Sequence, residues 1–528
     1  MKWPAPRRLQ IATAAGLLAA IGAAAELDVS TLKWTVSGGA RIDNGRIVVE
    51  VSPETADRTE AGASAAIDFS FADGSGFEAT IEVQGRNLQK SRVSYMGAKF
   101  QFAFFNDLAG AWEYPNARFQ YGTFPRQLVR VSMIEPARRS RGRLFLGLQR
   151  SSGRIEFDLA TLRIRTLDAG FPRTNEDYRC EYTDDFRRRP ISRGVMLPVR
   201  RINEDDFITL NKWGATLVRY QINRAWGVNG ANRDLDDYDR WLTAELDHIG
   251  TCVLPLAGKY GIKAVIDMHV PPGGRDSDAG MNMFYEKKYA DHFVACWRRI
   301  AERFKARPEI YGYDLVNEPF QMKVAAPGCD YWSIQSRAAE AIREIDAETP
   351  IIVECNHGGT PDAFSYLAPL RLANVIYQFH MYQPIAYTHQ GLGGKSVWNR
   401  MCYPDPASGF DRNSLEKAIA PVVDFERRHG AKIYVGEFSA IAWAKGADRY
   451  IADCIDIFER HRWDWSYHAF REGPIWDVEL DASEPCRAED FRKSDWNPRK
   501  AALLKGFSAK AQDRIMEQNR KRKKTFSQ

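Results

Sequence analysis

Tyr311-Gly-Tyr-Asp-Leu-Val-Asn-Glu-Pro319 is an apolar run that ends in an amide and a carboxylate, Asn317 and Glu318, and is then stopped by proline. Proline has no N–H to give to a sheet ladder, so the chain must leave the sheet there. The stretch reads as a strand whose C-terminal lip carries a carboxylic acid beside a hydrogen-bonding amide. Lys432-Ile-Tyr-Val-Gly-Glu-Phe-Ser439 has the same shape and delivers Glu437. Two carboxyl groups presented by two strand ends are what acid-assisted displacement at a sugar carbon requires.

Similar β-branched runs recur on both sides of this pair. They are Gly194–Leu197, Ala215–Gln221, Lys263–His269, Gly312–Asn317, Ile351–Cys355, Val375–His380, Ile433–Glu437 and Trp465–Ala469. Helical patterns lie between them, at Glu204–Trp213, Asp236–Tyr260, Tyr285–Phe304, Trp332–Ile345, Leu415–Arg428 and Ala447–His461. Eight strand signals alternating with helices predict an α/β fold, a (β/α)8 TIM barrel over residues 191–508. A doubly wound open sheet fits less well, because no Gly-rich phosphate loop opens the first unit.

Upstream the texture differs. Residues 27–175 hold short alternating runs such as Gly45–Val51, Phe77–Val83, Ala98–Phe104 and Leu144–Leu148, separated by Gly, Asp, Asn and Ser. Period-two alternation at this spacing predicts an all-β sandwich. The segment Leu146–Asp158 loosely resembles the closing strands of jelly-roll carbohydrate-binding modules. Trp112, Tyr114 and Tyr121 are the rings a sugar face would use, although rings of this kind are more often core or edge residues. Residues 176–190 are charged and turn-rich and read as a linker, and 509–528 as a polar, basic tail.

The 528 residues are enough for two or three domains, and a 44% hydrophobic content supports large cores. Net charge is +6, but the run Arg520-Lys-Arg-Lys-Lys524 supplies five of those charges, so the folded body makes no case for a nucleic-acid groove. Lys2, Arg7 and Arg8 precede an uncharged Ala/Leu-rich stretch that ends in Ala23-Ala-Ala25. Residues 1–25 therefore read as a cleaved signal peptide, with a secreted or periplasmic destination and no membrane span after cleavage. The rival is an uncleaved anchor. Of the eight cysteines, Cys329, Cys402 and Cys486 lie in predicted loops and are the better disulfide candidates. No CxxC or Cys/His cluster suggests zinc.

In such barrels chemistry sits at the C-terminal ends of the strands. Those ends carry Arg219 on the second, His269 on the third, Asn317 and Glu318 on the fourth, His380 and Tyr382 on the sixth and Glu437 on the seventh. Each alone has a structural explanation, but seven polar groups at equivalent positions would be expensive to bury for no purpose. The ordered set Arg193-Gly-Val-Met-Leu-Pro198, Leu217-Val-Arg219, Asp267-Met-His269, Asn317-Glu-Pro319, His380-Met-Tyr382 and Gly436-Glu-Phe438 resembles glycoside hydrolase family 5 over about residues 190–480. The resemblance implies retention, with Glu318 as acid/base and Glu437 as nucleophile. Arg219 and Tyr382 would orient the nucleophile, Asn317 would meet the sugar 2-hydroxyl, and His269 and His380 would line the cleavage subsite. The family usually places a Trp at the end of the eighth strand. Here His468 occupies that place, and Trp476 is the candidate replacement platform. His389 and Gln390 are expected near the sugar, and Trp226, Trp398 and Tyr403 are loop aromatics able to stack on sugars.

A nucleophilic carboxylate must stay ionised, which a nearby arginine favours, whereas the acid must hold a proton near neutrality. Retention requires the carboxyl groups to be ~5–5.5 Å apart, and inversion ~6.5–9.5 Å. The sequence thus predicts an endo-acting hydrolase of a β-linked polysaccharide, a β-glucan first, with no cofactor and no metal. β-Mannan, β-1,3-glucan or a small β-glucoside are the near alternatives. A non-catalytic carbohydrate-binding surface protein is the rival of another class.

Overall fold

A computed structural model describes residues 26–67, 75–93, 96–106, 111–134, 139–168, 175–227, 230–276, 279–321, 325–392, 400–493 and 497–508. The signal segment 1–25, the tail 509–528 and Trp398 lie outside the described residues. Eight parallel strands close a barrel in sequence order. They are β1 (Arg193–Met196), β2 (Leu217–Gln221), β3 (Lys263–Asp267), β4 (Ile310–Asp314), β5 (Ile351–Glu354), β6 (Val375–Met381), β7 (Lys432–Phe438) and β8 (Asp464–Tyr467). Closure runs through β8–β1 pairing, Trp465 opposite Arg193. Arg193 also crosses to the helix before β8, where both Glu459 oxygens accept from its guanidinium at 2.7 and 2.6 Å.

The helices follow their sequence signals. Glu204–Trp213 is opened by a capping box between Asn203 and Asp206 and closed by Gly214 at φ 88°. The stretch expected as one helix over Asp236–Tyr260 runs as Leu235–His248, a single wider turn at Ile249–Val253, and Leu254–Tyr260. Pro255 lacks an N–H and crowds the preceding turn, which the wider turn accommodates. Leu415–Arg428 is divided into Arg412–Ala418 and Ala420–His429, and Pro421 starts the second piece.

Side chains alternate across a strand, so every second residue enters the barrel. In the lower interior these are Leu217, Val265, Tyr311, Ile352, Ile376 and Tyr434, an apolar plug. One step up, Arg219, Asp267, Asp314, Glu354 and Gln378 replace it, all 4% exposed or less. The same alternation builds the apolar base and the charged upper layer, except in β4, where a register shift between Ile310 and Gly312 lets Tyr311 and Asp314, three residues apart, both face inward. The stretch 176–190, read as a linker, is fastened to the barrel. Phe186 and Tyr182 pack on the plug, Tyr182 donates to Val375 O at 2.8 Å, and Cys180 N–H donates to His429 O at 2.8 Å.

Two five-stranded sheets precede the barrel, with every described pairing antiparallel. They enclose a separate core that includes Ile47, Phe77, Ile81, Phe100, Phe102, Leu146 and Phe157. Trp112, on an edge strand, and Tyr114 are 49% and 59% exposed, whereas Tyr121 packs against that core. All eight cysteines are free thiols. The disulfide expectation for Cys329, Cys402 and Cys486 is therefore not met, and Cys329 is a buried apolar group in the barrel core. No helix among the described residues is long and apolar enough to cross a membrane.

Candidate active site

Arg219 is fully buried and forms the hub. Its guanidinium donates to Asp314 Oδ2 at 2.9 Å, to Glu437 Oε1 at 2.8 Å and to Asn317 Oδ1 at 2.9 Å. The second Glu437 oxygen accepts from Tyr382 OH at 2.8 Å. Burial alone would raise the Glu437 pKa, but the charges of His380, His468 and Arg219 outweigh it and hold this carboxyl well below the usual range. Glu437 reaches this position through a bulge in β7. Phe379 pairs with Val435 and His380 with Glu437, so Gly436 is the extra residue. A Cβ on Gly436 would lie 2.5 Å from Gln378 Cδ, so any other residue there forces that amide to move.

Asn317 and Glu318 lie just past β4. The Asn317 amide is fixed at both ends, its oxygen on Arg219 and its nitrogen 3.3 Å from His269 Nε2. His269 Nδ1 is 2.8 Å from Asp267 Oδ2. That partner makes Nδ1 the protonated nitrogen and Nε2 the acceptor. Burial holds His269 neutral, with its pKa down at about 3. Glu318 Oε1 is 3.1 Å from His380 Nδ1. Burial raises the Glu318 pKa, yet the hydrogen bond and charge of His380 outweigh it and bring it below the ordinary value. His380, for its part, is pushed up to about 9: burial lowers it, and the surrounding carboxylates, Glu354 first, raise it further. The pair thus holds one proton near neutrality, on the imidazole, and not on Glu318 by itself as the sequence reading expected.

Trp476 lines the site, with ring centroids 6.1 Å from Tyr382, 5.6 Å from His468 and 5.0 Å from His389. His468 stands at the end of β8, 6.3 Å from Tyr382. A cavity of about 330 Å³ opens beside Glu318, lined among others by Trp226, Arg275, Phe320, His357, His380 and His389. Trp226 is 50% exposed at its rim. Two expected sugar contacts sit elsewhere. Gln390 is buried, with its amide donating to Met401 O at 3.1 Å, and Tyr403 is packed between Tyr387, Phe410 and Tyr450.

Several groups carry no separate sequence motif. Glu354 and Gln378 share the inward parity of their strands, which is the signal that could have found them, whereas Asp314 is brought inward by the register shift in β4. Burial pushes Asp267 up to about 7, Asp314 to about 6 and Glu354 to about 8. Past β8, Glu472 accepts from Gln221 Nε2 at 2.7 Å, and burial raises it to about 8. Glu318, His380 and Glu437 present ligand-type atoms within 4.8 Å of one another, the geometry of a cation site. Arg219 and Tyr382 already occupy both Glu437 oxygens, and the guanidinium charge opposes a cation there. A second such group, Asp239, His292 and Cys296, has Arg299 on Asp239 at 2.5 Å.

A closed parallel barrel whose C-terminal mouth holds two carboxyl groups, one held ionised by His380, His468 and the buried Arg219 and one hydrogen-bonded to His380, defines a barrel glycoside hydrolase. The sequence profile of Cellulase (glycosyl hydrolase family 5) matches residues 188–472, and the chain belongs to that family. It is 27% identical to Endoglucanase C of Acetivibrio thermocellus over 267 residues, which are 44% of this chain and 72% of that protein. It is 25% identical to Cellodextrinase A of Ruminococcus flavefaciens over 272 residues, 49% of this chain and 76% of the other. Among solved structures, Thermotoga maritima Cel5A in complex with mannotriose matches with a TM-score of 0.48 and 22% identity, over 64% of this chain and 99% of that one.

Proposed function

We propose that the protein hydrolyses internal β-glycosidic bonds of a β-glucan with retention, using Glu437 as nucleophile and Glu318 as acid/base. The observation that carries this reading is a spacing. An oxygen of Glu318 lies within 4.8 Å of an oxygen of Glu437, so the two carboxyl groups face each other across one gap, as attack by one and protonation by the other at a single sugar bond require. The names of the endoglucanase and cellodextrinase relatives support a β-glucan as substrate.

In the first step Glu437 attacks the anomeric carbon as the bond to the leaving oxygen breaks. Glu318, supplied by its shared proton with His380, protonates that oxygen. The glycosyl ester on Glu437 removes a negative charge. In the second step Glu318 takes a proton from water, the hydroxide adds to the anomeric carbon, and the ester bond breaks to restore Glu437. Arg219 and Tyr382 hold Glu437 in line throughout. Asn317 keeps one amide hydrogen for the sugar 2-hydroxyl, since its other polar positions are engaged. His269 and Trp476 wall the same sugar. All of this chemistry is within reach of the carboxyl groups alone.

Hydrolysis of a β-glycan panel, with product sizing and NMR of the first-formed anomer, tests the reading. Release of the β-anomer from mid-chain cuts in β-glucan is expected. First release of the α-anomer would sink retention, and cleavage confined to mannan or to small glucosides would replace the substrate. Residues 1–25 support export to the periplasm or medium, and the mature protein is expected to begin at Glu26 by intact mass.

A further inference from the structure

Glu318 has a backbone φ of 48°, in the left-handed region that side-chain-bearing residues rarely adopt. Both of its peptide groups are tied to buried side chains, a carboxyl on one and a guanidinium on the other. Its N–H donates to Glu354 Oε2 at 3.1 Å. Its carbonyl accepts from Arg275 Nη2 at 2.9 Å, and the same nitrogen donates to Asn317 O at 3.2 Å.

Arg275 is 6% exposed, and its guanidinium donates to backbone carbonyls. Its remaining contacts are Ala279 O at 3.0 Å and the face of Trp226, 4.8 Å from the ring centroid. A buried guanidinium is costly, and here it is spent on backbone carbonyls. Glu354 is fully buried at the end of β5. Its Oε2 also accepts from Gln378 Nε2 at 2.7 Å, and its Oε1 lies 3.4 Å from His380 Nε2. The other nitrogen of that imidazole holds the Glu318 carboxyl. Glu354 therefore reaches residue 318 twice, directly at the backbone and through His380 at the side chain. Gly359, at φ 72°, leaves the room: a Cβ there would overlap the Glu354 carboxylate.

We propose that Glu354 and Arg275 are positioning residues for the acid/base. A buried carboxyl oxygen on the N–H and a guanidinium on the carbonyl lock the turn that aims Glu318 at the leaving oxygen. The stack of Arg275 under Trp226 joins this lock to the wall of the cavity beside Glu318. The inference rests on the reading of Glu318 as acid/base.

Leaving-group dependence tests it. A 2,4-dinitrophenyl β-glycoside departs without protonation, whereas an oligosaccharide does not. Wild type, Glu318→Ala, Arg275→Met, Arg275→Lys, Glu354→Ala and Glu354→Gln are compared on both, using the sugar that the wild type hydrolyses. Arg275→Met and Glu354→Ala are expected to lose about 100-fold in kcat on the oligosaccharide. Their pre-steady-state burst on the aryl glycoside stays within about threefold of wild type, as protonation contributes little there. Azide should speed their turnover on the aryl substrate by replacing the base-assisted water. Glu354→Gln keeps an acceptor for the N–H and should recover part of the loss. Equal losses on both substrates, or none on either, would overturn the proposal. If Arg275→Met melts below the assay temperature, Arg275→Lys, which keeps the charge and loses the fork, decides by the same ratio. If Glu318→Ala itself shows no leaving-group dependence, the acid/base reading falls, and that outcome is distinguishable from failure of the lock.

Discussion

At the scale of the residue, Arg219 and His380 set the charges on which the chemistry depends. Removing Arg219 leaves Asp314 and Glu437 in a dry interior without their cation. Arg219→Met is expected to cost about 3–5 kcal/mol, because one partner of a buried network is removed and the others stay charged. Urea denaturation monitored by Trp fluorescence measures it. His380 makes a second prediction. With its pKa raised to about 9, the imidazolium is present at neutrality and lost as pH rises through that value. The alkaline limb of kcat/KM in the wild type is therefore expected near pH 9. In His380→Asn the proton must reside on Glu318 alone, and the limb should move to lower pH. An unmoved limb would show that His380 does not share the proton. Both residues are legible in the sequence, because each is polar at the end of a β-branched run. Their partners are not, since Asp314 and Glu354 look like ordinary strand-end acids until the barrel brings them within reach.

At the scale of the element, register decides what faces the site. The bulge at Gly436 sets Glu437 opposite His380 and leaves Val435 opposite Phe379. Gly436→Ala forces a Cβ into the Gln378 amide. The expected outcome is a folded protein of lower Tm whose kcat drops more than its KM changes, since the aim of the proposed nucleophile is disturbed while the proposed sugar walls remain. Unchanged kinetics would mean that β7 absorbs the methyl by sliding. Strand and helix positions agree closely with the alternation in the sequence, because period two and period 3.6 are local properties. The exceptions have local causes too: Pro255 and Pro421 each lack an N–H. The bulge was not legible, because an extra residue in one strand is defined only by the strand beside it.

At the scale of the whole molecule, the segment 176–190 belongs energetically with the barrel. Phe186 is 5% exposed against the plug, and Tyr182 accepts from Lys432 N–H at 2.7 Å. A chain of residues 176–528 is expected to keep hydrolysis of a soluble β-glucan. A chain of 191–528 should be less stable by at least about 2 kcal/mol, from the apolar burial of one aromatic side chain alone. Thermal melts of the two truncations check this, and equal Tm values would refute it. The sequence by itself determined the barrel, the sandwich before it, and which strand ends carry Glu318 and Glu437, because hydrophobic periodicity and proline stops act between near neighbours. Only the tertiary structure decided what those carboxyl groups are. Glu437 is held ionised by His380 from β6, His468 past β8 and Arg219 from β2, Glu318 is hydrogen-bonded to the same His380, and its turn lies between Glu354 of β5 and Arg275 of the loop after β3. Protonation depends on distance and burial, and both are set by which strands the closed barrel makes neighbours.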